Sequence, residues 1–241
     1  MTHIVFVHGF MGGSRQWQAQ QEAFNGDFQV VAVDLPGFGD NAHLTAPDNI
    51  CGYSRWVLDE VSGRGIEKFH LIGHSMGGMV AQEMVSQAPE RIDKLVLYGT
   101  GATGELPGRF ETISTSRRRA QSDGAHATAR RIAATWFLAG EDAAAYEACA
   151  NIAERSSPQA ILAGLDAMQG WSGTARLSGI LAKTLVMWGD RDRTYPWSQI
   201  EELWQSIGDA CLAVIPNCAH AAHLEKPDLF NWVLGDFLRE G

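Results

Sequence analysis

Six short runs of apolar residues alternate with helical segments along the 241-residue chain, and this alternation constrains the fold more than any other feature. Short apolar runs bounded by turn residues predict buried strands. Strands that alternate with helices favour a mostly parallel sheet with helices on both faces. The predicted fold class is therefore α/β. The predicted strands are residues 4–7, 28–33, 69–72, 95–98, 185–188 and 212–215.

Helical patterns fill most of the intervals between these strands. The first is a polar segment that contains Trp17 and Phe24. The helix that follows the third strand is predicted to stop at Pro89, because proline cannot continue a helix. The remaining predicted helices are residues 53–61, 76–88, 200–207 and 229–238.

The alternation stops between residues 104 and 183, where no convincing strand occurs. Alanine, arginine and glutamate dominate this stretch, and Ile132, Trp136 and Phe137 recur at helical spacing. We interpret the stretch as a helical insertion into an α/β core. The predicted core consists of residues 1–103 and 184–241.

The insertion also differs from the core in charge. It carries nine Lys and Arg and eight Asp and Glu, whereas the rest of the chain carries ten and twenty. The favoured interpretation is a near-neutral, solvated helical surface. The alternative is that arginines at 117–119 or 130–131 face a pocket and bind a substrate carboxylate as a bidentate pair.

The net charge of −9 restricts the partners of the chain. A strongly acidic protein repels nucleic acid and anionic membrane surfaces. No apolar run approaches the roughly 20 residues that a membrane span needs. We therefore expect a small-molecule substrate, and neither nucleic acid nor a membrane as partner. The sequence does not predict the oligomeric state.

The N-terminal residues and the cysteines together predict a cytoplasmic protein. No basic segment precedes the first apolar run, so no signal peptide is expected. The four cysteines lack the CxxC spacing of a zinc site and are scattered, as reduced thiols are. They are Cys51, Cys149, Cys211 and Cys218.

The stretch Gly73-His74-Ser75-Met76-Gly77 fits the pattern G-x-S-x-G. In this pattern a sharp turn between a strand and a helix holds the serine in a strained conformation and exposes its hydroxyl. The predicted strand before the motif and the predicted helix after it supply that context. The alternative is a glycine-rich turn with an incidental serine. We interpret Ser75 as a nucleophile.

A serine nucleophile needs a base, and the base needs an acid that orients it. The chain order typical of this motif is serine, acid, histidine. Asp190 and Asp192 follow the fifth strand, and Asp192 is favoured because a residue next to the strand is usually committed to the turn. His220 and His223 follow the sixth strand, and His220 is favoured as the base. A metal pair at these histidines is not expected, since no Cys, Asp or Glu cluster completes it.

The tetrahedral intermediate of acyl transfer needs two backbone N–H donors. One is expected after the nucleophile, at Met76, and the other in the loop after the first strand, at Phe10. That loop is rich in glycine, but no Lys-[Ser/Thr] follows it, which excludes a P-loop. The pattern G-x-G-x-x-G is also missing there, which excludes a dinucleotide site.

The chain resembles the α/β-hydrolase superfamily through five motifs in the expected order, FVHGFMGG, VAVDLPGFGD, LIGHSMGG, MWGDRDRTYP and CAHAAHLEKP. The resemblance implies an α/β-hydrolase fold with Ser75, Asp192 and His220 as the triad and Phe10 and Met76 as oxyanion donors. It also implies that the insertion is a helical cap over the cleft. A serine nucleophile argues against the branches that attack with aspartate.

The resemblance favours hydrolysis of a small carboxylic ester or lactone, because the motifs are similar to those of enol-lactonases and carboxylesterases. The first alternative is a carbon–carbon hydrolase of meta-cleavage products. Those enzymes typically carry Trp after the histidine and Asn before the nucleophile, where this chain has Ala221 and His74. The second alternative is the pyruvate-eliminating synthase of menaquinone biosynthesis, which generally has Arg at the position of Met79. A non-catalytic binding module on the same fold is least favoured, since all three triad residues are present.

The substrate pocket is expected to be apolar and aromatic, with neither a cofactor nor a metal. Phe10 and Met76 are candidates for its wall, but each of the candidates could equally be ordinary core. The predicted substrate-binding residues are Met11, Trp136, Phe137 and Trp171.

Overall fold

The protein is built around one sheet of six parallel strands. The computed structural model describes residues 1–105 and 111–240. The strand order across the sheet is β2-β1-β3-β4-β5-β6, and each neighbouring pair is parallel. This order confirms the predicted α/β class. The strands are β1 (His3–Val7), β2 (Gln29–Val33), β3 (Phe69–His74), β4 (Ile92–Tyr98), β5 (Lys183–Gly189) and β6 (Ala210–Ile215).

Helices cover both faces of the sheet. The α-helices of the described residues are α1 (Gln18–Phe24), α2 (Ile50–Gly63), α3 (Met76–Gln87), α4 (Ile113–Ala134), α5 (Tyr146–Ala153), α6 (Pro158–Gln169), α7 (Trp197–Ser206), α8 (Ala222–Glu225) and α9 (Pro227–Arg239). Val5 and Leu71 pack with α2, α3 and α7 on one face, whereas Phe6 and Ile72 pack with α1 and α9 on the other. Strands that are buried on both faces explain why their sequences are continuous apolar runs.

The predicted strands are correct in number and place, but β4, β5 and β6 begin two or three residues earlier than expected. In β4 two of the three early residues, Asp93 and Lys94, are polar, so the continuous apolar run begins only at Leu95. Lys94 is satisfied there because its amine donates to the carbonyls of Phe237 (2.9 Å) and Leu238 (3.1 Å) near the end of α9. A buried lysine is tolerated where its donors are paired in this way.

The predicted helices also lie where the patterns placed them, with ends that local capping explains. Helix α2 begins at Ile50 rather than at Tyr53, because the side chain of Asn49 accepts a hydrogen bond from Gly52 N and caps the helix. Helix α3 ends at Gln87, and Pro89 follows as expected.

Helices α4, α5 and α6 form the segment between β4 and β5, and we call them the inserted helices. A non-helical residue, Gly124 (φ 82°, ψ 168°), divides α4 into two pieces. The two ends of the segment meet, because Gly173 N donates to Ala102 O (2.7 Å) and Gly104 N donates to Trp171 O (3.0 Å). Of the predicted insertion, residues 106–110 lie outside the described residues.

None of the helices within residues 1–105 and 111–240 is long and apolar enough to cross a lipid bilayer.

Candidate active site

Ser75 lies at the junction of β3 and α3 and has a backbone conformation (φ 56°, ψ −121°) that residues other than glycine rarely adopt. Such strain persists only where the surroundings fix the backbone. Here β4 does so, since Ser75 N donates to Tyr98 O (3.0 Å) and Thr100 Oγ1 donates to Ser75 O (2.7 Å). The turn therefore presents the serine at the carboxyl end of the sheet.

The two glycines of the motif are required by close backbone contacts. A Cβ on Gly73 would lie 2.4 Å from the carbonyl oxygen of Gly77, and one on Gly77 would lie 2.3 Å from that of Val7. A methyl group cannot occupy either position without moving the backbone. The spacing of G-x-S-x-G thus follows from the packing of α3 against β1 and β3.

His220 and Asp192 form a buried hydrogen-bonded pair. His220 Nδ1 lies 2.8 Å from Asp192 Oδ2, and the two side chains are 3% and 1% exposed. The second carboxylate oxygen, Oδ1, accepts hydrogen bonds from Thr194 N (2.7 Å) and Tyr195 N (3.3 Å). Because the aspartate holds Nδ1, the Nε2 atom of the ring is left available for a reacting group.

Asp190, the competing carboxylate, lies elsewhere. Its Oδ1 atom accepts from Cys218 N (3.4 Å), and its Oδ2 atom lies 3.7 Å from Arg191 Nε. It therefore links the loop after β5 to the loop after β6, rather than serving only its own turn as expected of the residue nearest the strand.

Two aromatic rings pack against the His220 imidazole. The Tyr195 ring stacks on it at a centroid distance of 5.6 Å and an angle of 19°, and the His74 ring packs at 4.5 Å and 38°. The ring is thus confined in two directions before any substrate binds.

Ser75 and His220 line one cavity together with Phe10 from the loop after β1. That loop lies against the serine, since a Cβ on Gly9 would be 2.8 Å from Ser75 Cβ. Met76, the first residue of α3, contributes an N–H at a helix start, where the backbone donors have no partner inside the helix. The two expected oxyanion donors therefore come from the two segments that flank the serine.

The inserted helices and the polar loops complete the cavity wall. Of the predicted substrate-binding residues, Trp136 lines the cavity together with Ile132, Thr135 and Met168. Sequence reasoning missed Thr135, Met168 and Gln16, and also Thr194 and Tyr195 beside the aspartate. Gln16 and Thr135 carry no signal in the sequence that separates them from ordinary helical residues.

The other three predicted substrate-binding residues do not line this cavity. Met11 and Phe137 are fully buried in the core, Met11 in a tight turn with φ 59°. Trp171 lies at the base of the inserted helices, where its indole N–H donates to Glu83 Oε1 (2.9 Å). Sequence patterns mark such side chains as apolar or aromatic, but they do not separate the cavity wall from the core behind it.

Arginines of the inserted helices make ion pairs instead of facing the cavity. Arg130 pairs with Glu147 (2.5 Å) and Glu154 (3.0 Å), and Arg131 pairs with Glu111 (2.8 Å). Arg117 pairs with Asp166. Within the described part of the chain, no arginine of 117–119 or 130–131 lines the cavity, although Arg131 is partly buried against Glu111 rather than solvated.

Burial keeps three nearby histidines neutral. It lowers the pKa of His74 well below the usual range, and the nearby rings of His220 and His223 lower it further. Burial, assisted by the neighbouring His220, lowers the pKa of His223 to about 3. Burial also lowers the pKa of His8, against the opposing effect of its bond to the Gly9 carbonyl. In spite of these rings, the described residues contain no group of three His, Cys, Asp or Glu side chains that could hold a metal ion.

The histidine loop is bonded to the inserted helices on both sides of His220. Ala221 N donates to Trp136 O (2.9 Å). On the other side, the Glu225 carboxylate accepts from both Ala219 N (2.6 Å) and Leu138 N (2.7 Å). The end of α4 and the loop that carries His220 are therefore one connected unit.

Comparison with known proteins agrees with this fold. The family model for the alpha/beta hydrolase fold matches residues 2–227. The 2-hydroxy-6-oxo-6-phenylhexa-2,4-dienoate hydrolase of Comamonas testosteroni is 30% identical over 98% of this chain and 87% of its own length. The putative carbamate hydrolase RutD of Agrobacterium fabrum is 26% identical over 98% and 92%. The enol-lactonase structure from Burkholderia xenovorans LB400 superposes with a TM-score of 0.91 at 23% identity, over 99% and 92% of the two chains.

Proposed function

The chain belongs to the alpha/beta hydrolase family, and on that premise we propose that it is a serine hydrolase that cleaves a small carboxylic ester or lactone. The observation that carries the proposal is the buried His220–Asp192 pair, at 2.8 Å, on the same cavity as the strained Ser75. An imidazole paired with a carboxylate, on the same cavity as a serine hydroxyl, is the arrangement that activates a serine.

In the first half of the proposed reaction, Ser75 Oγ attacks the carbonyl carbon while His220 Nε2 takes the hydroxyl proton. Asp192 fixes the tautomer of the ring and stabilises the imidazolium that forms. The N–H groups of Phe10 and Met76 donate to the oxyanion. His220 then returns the proton to the leaving alcohol, and the acyl group stays on Ser75.

In the second half, a water molecule replaces the alcohol. His220 Nε2 takes a proton from the water as it attacks the acyl-enzyme, and the carboxylic acid leaves as Ser75 regains its proton. In a lactone the acid and the alcohol belong to one molecule, so the product leaves as a single hydroxy acid.

The inserted helices are proposed to act as a cap that selects the substrate. Trp136 supplies an apolar side chain to the cavity wall, and Met168 supplies another. Met11, Phe137 and Trp171 are proposed to shape the pocket only by packing behind this wall, as their burial supports. Substitutions in the cap would then change the substrate preference and leave the triad intact.

A second candidate function is hydrolysis of a carbon–carbon bond. The relative at 30% identity is by name a hydrolase of a 2-hydroxy-6-oxo-dienoate, and this favours the candidate. Against it, Ala221 and His74 stand where such enzymes typically carry Trp and Asn. The same serine, histidine and aspartate would serve both reactions, so only assays with the two kinds of substrate distinguish them.

The test is turnover of p-nitrophenyl esters, from acetate to dodecanoate, by the wild type and by Ser75→Ala. We expect turnover by the wild type that Ser75→Ala reduces by orders of magnitude, because the nucleophile is lost. The ester chain length at which the rate is highest would measure the pocket beneath the cap.

Parallel assays separate the alternatives. Cleavage of 2-hydroxy-6-oxo-6-phenylhexa-2,4-dienoate without ester turnover would favour the carbon–carbon reaction. If the chain hydrolyses neither substrate and Ser75 does not react with a fluorophosphonate, the proposal of a serine hydrolase is wrong.

A further inference from the structure

The backbone carbonyl of His220 accepts two side-chain hydrogen bonds from residues next to the nucleophile. Tyr98 OH lies 2.9 Å from His220 O, and His74 Nε2 lies 3.0 Å from it. We propose that His74 and Tyr98 are positioning residues that fix the base His220 at its working distance from Ser75. This inference rests on the proposed function, because it needs His220 to act as the base for Ser75.

The proton positions in this network follow from one constraint. A carbonyl oxygen only accepts, so both the Tyr98 hydroxyl and His74 Nε2 must donate to it. The Tyr98 oxygen then accepts from His223 N (3.2 Å) and from His223 Nδ1 (3.2 Å). Each neutral ring carries one N–H, which places the proton of His74 on Nε2 and that of His223 on Nδ1. With neutral rings, which the lowered pKa values of His74 and His223 favour, each of these hydrogen bonds has one donor and one acceptor.

Both donors are joined to the nucleophile by short links. His74 directly precedes Ser75 in the chain, and Tyr98 accepts the Ser75 N–H at its own carbonyl (3.0 Å). Ser75 and His220 are thus connected through two rigid buried side chains, those of His74 and Tyr98, and not only through the loop after β6. His74 is 6% exposed and Tyr98 is fully buried, so water does not compete for these bonds.

The expected effect is on rate rather than on binding. A shift of about 1 Å between reacting groups can cost 10²-fold in rate. The histidine loop keeps other anchors, at Ala219 and Ala221, so loss of one donor should move His220 without releasing it. We therefore expect single-donor variants to lose about 10- to 100-fold in kcat.

The first experiment compares Tyr98→Phe with Tyr53→Phe. Both changes remove one buried tyrosine hydroxyl, but Tyr53 OH has no hydrogen-bond partner in the described structure. With a p-nitrophenyl ester that the wild type hydrolyses, Tyr98→Phe should lower kcat about 10- to 100-fold and leave KM within about twofold. Tyr53→Phe should change neither value. Equal kcat in Tyr98→Phe and the wild type would overturn the role of Tyr98.

The second experiment replaces His74 with Gln and with Phe. The side-chain amide of Gln carries an N–H near the position of the histidine Nε2, whereas Phe fills the ring space without a donor. We expect His74→Phe to lose kcat as Tyr98→Phe does, and His74→Gln to recover much of it. Equal losses in both variants would contradict a positioning role for His74.

The third experiment repeats Tyr98→Phe and His74→Phe in a His220→Ala background, with the rate of Ser75 labelling by a fluorophosphonate as the readout. Residues that act only through the base should have no further effect once the base is gone. A further tenfold loss would mean that they support the serine or the fold instead, and would overturn the inference. If the wild type itself is not labelled, it is the proposed function that fails.

Discussion

The loops that carry Ser75, Asp192 and His220 are held by buried hydrogen bonds, whereas the inserted helices pack through buried apolar side chains and carry ion pairs at their outer surface. The Asp192 carboxylate is 1% exposed and accepts three hydrogen bonds. In contrast, Arg130 and its partner Glu147 are 31% and 67% exposed. The two regions meet where Trp136 O and Leu138 N bond to the histidine loop and Glu225, and where Arg193 donates to Phe137 O (3.4 Å).

Because of this difference, the two regions should respond differently to substitution. Exposed ion pairs contribute roughly 0–1 kcal/mol each, so the charged surface residues of the inserted helices can change at little cost. A buried polar group left without its partner costs about 1–3 kcal/mol, and more if it is charged. Substitutions in the loops are therefore expected to lower the catalytic rate. Substitutions in the inserted helices are expected to change the substrate preference.

The largest expected effect separates the two aspartates of the loop after β5. Asp192→Asn should lower kcat about 10⁴-fold, because the amide no longer holds the His220 tautomer or stabilises its charge. Asp190→Asn is the matched control and should stay within a few-fold of the wild type, since the amide oxygen of Asn can still accept the hydrogen bond from Cys218 N. An inactive Asp190→Asn with an active Asp192→Asn would show that the acid has been misassigned.

The next effect concerns stability at the serine turn. In Gly77→Ala the new methyl group would meet the carbonyl oxygens of Val7 (2.3 Å) and His8 (2.5 Å), so β1 must move. We expect a loss at the upper end of the roughly 1–3 kcal/mol that overpacking costs. Gly63→Ala, in open space at the end of α2, should instead gain up to about 1 kcal/mol. Urea unfolding of both variants measures this difference, and equal stabilities would contradict it.

Acid should destabilise the buried loops more than the surface. The pKa of His223 falls from 6.5 to about 3 on folding, so the unfolded chain binds more protons below pH 6.5. Stability therefore decreases as the pH falls from about 6.5 towards 3, by about 2 kcal/mol at pH 5 from this residue. Urea unfolding at pH 7 and pH 5 should show a smaller pH dependence in His223→Asn than in the wild type. His43→Asn, at an exposed position, should keep the pH dependence of the wild type, and an identical dependence in all three proteins would refute the explanation.

The smallest effect is expected in the inserted helices. Arg117→Gln breaks the pair with Asp166 and should change the free energy of unfolding by less than about 1 kcal/mol. It should leave kcat and KM for a neutral ester unchanged, because Arg117 does not line the cavity. A tenfold rise in KM that is confined to carboxylate-bearing esters would instead support the alternative in which these arginines bind the substrate.

Local patterns in the sequence predicted the order of strands and helices along the chain. They also singled out the residues of the candidate triad. Short apolar runs are determined by burial on both faces of the sheet, and the glycines of the serine motif by steric contact with β1. These causes act between residues close together in the chain, or through burial alone, so they can be read from the sequence. They account for the α/β class and for the choice of Ser75.

The remaining features depend on contacts between distant residues. Tyr98 closes an apolar strand and has the sequence appearance of core, yet its hydroxyl reaches a carbonyl 122 positions later in the chain. Gln16 resembles any polar helical residue, yet it lines the cavity. Met11, Phe137 and Trp171 have the composition of a pocket wall, but they are buried and do not line the cavity. No local pattern distinguishes these cases.

The most direct test of a serine nucleophile at the strained turn is mass spectrometry after reaction with a fluorophosphonate. We predict one phosphonyl group per chain, located on the peptide that contains Ser75, absent in Ser75→Ala and formed much more slowly in His220→Ala. An adduct on another residue, or ester hydrolysis at the wild-type rate by Ser75→Ala, would contradict the assignment of this site.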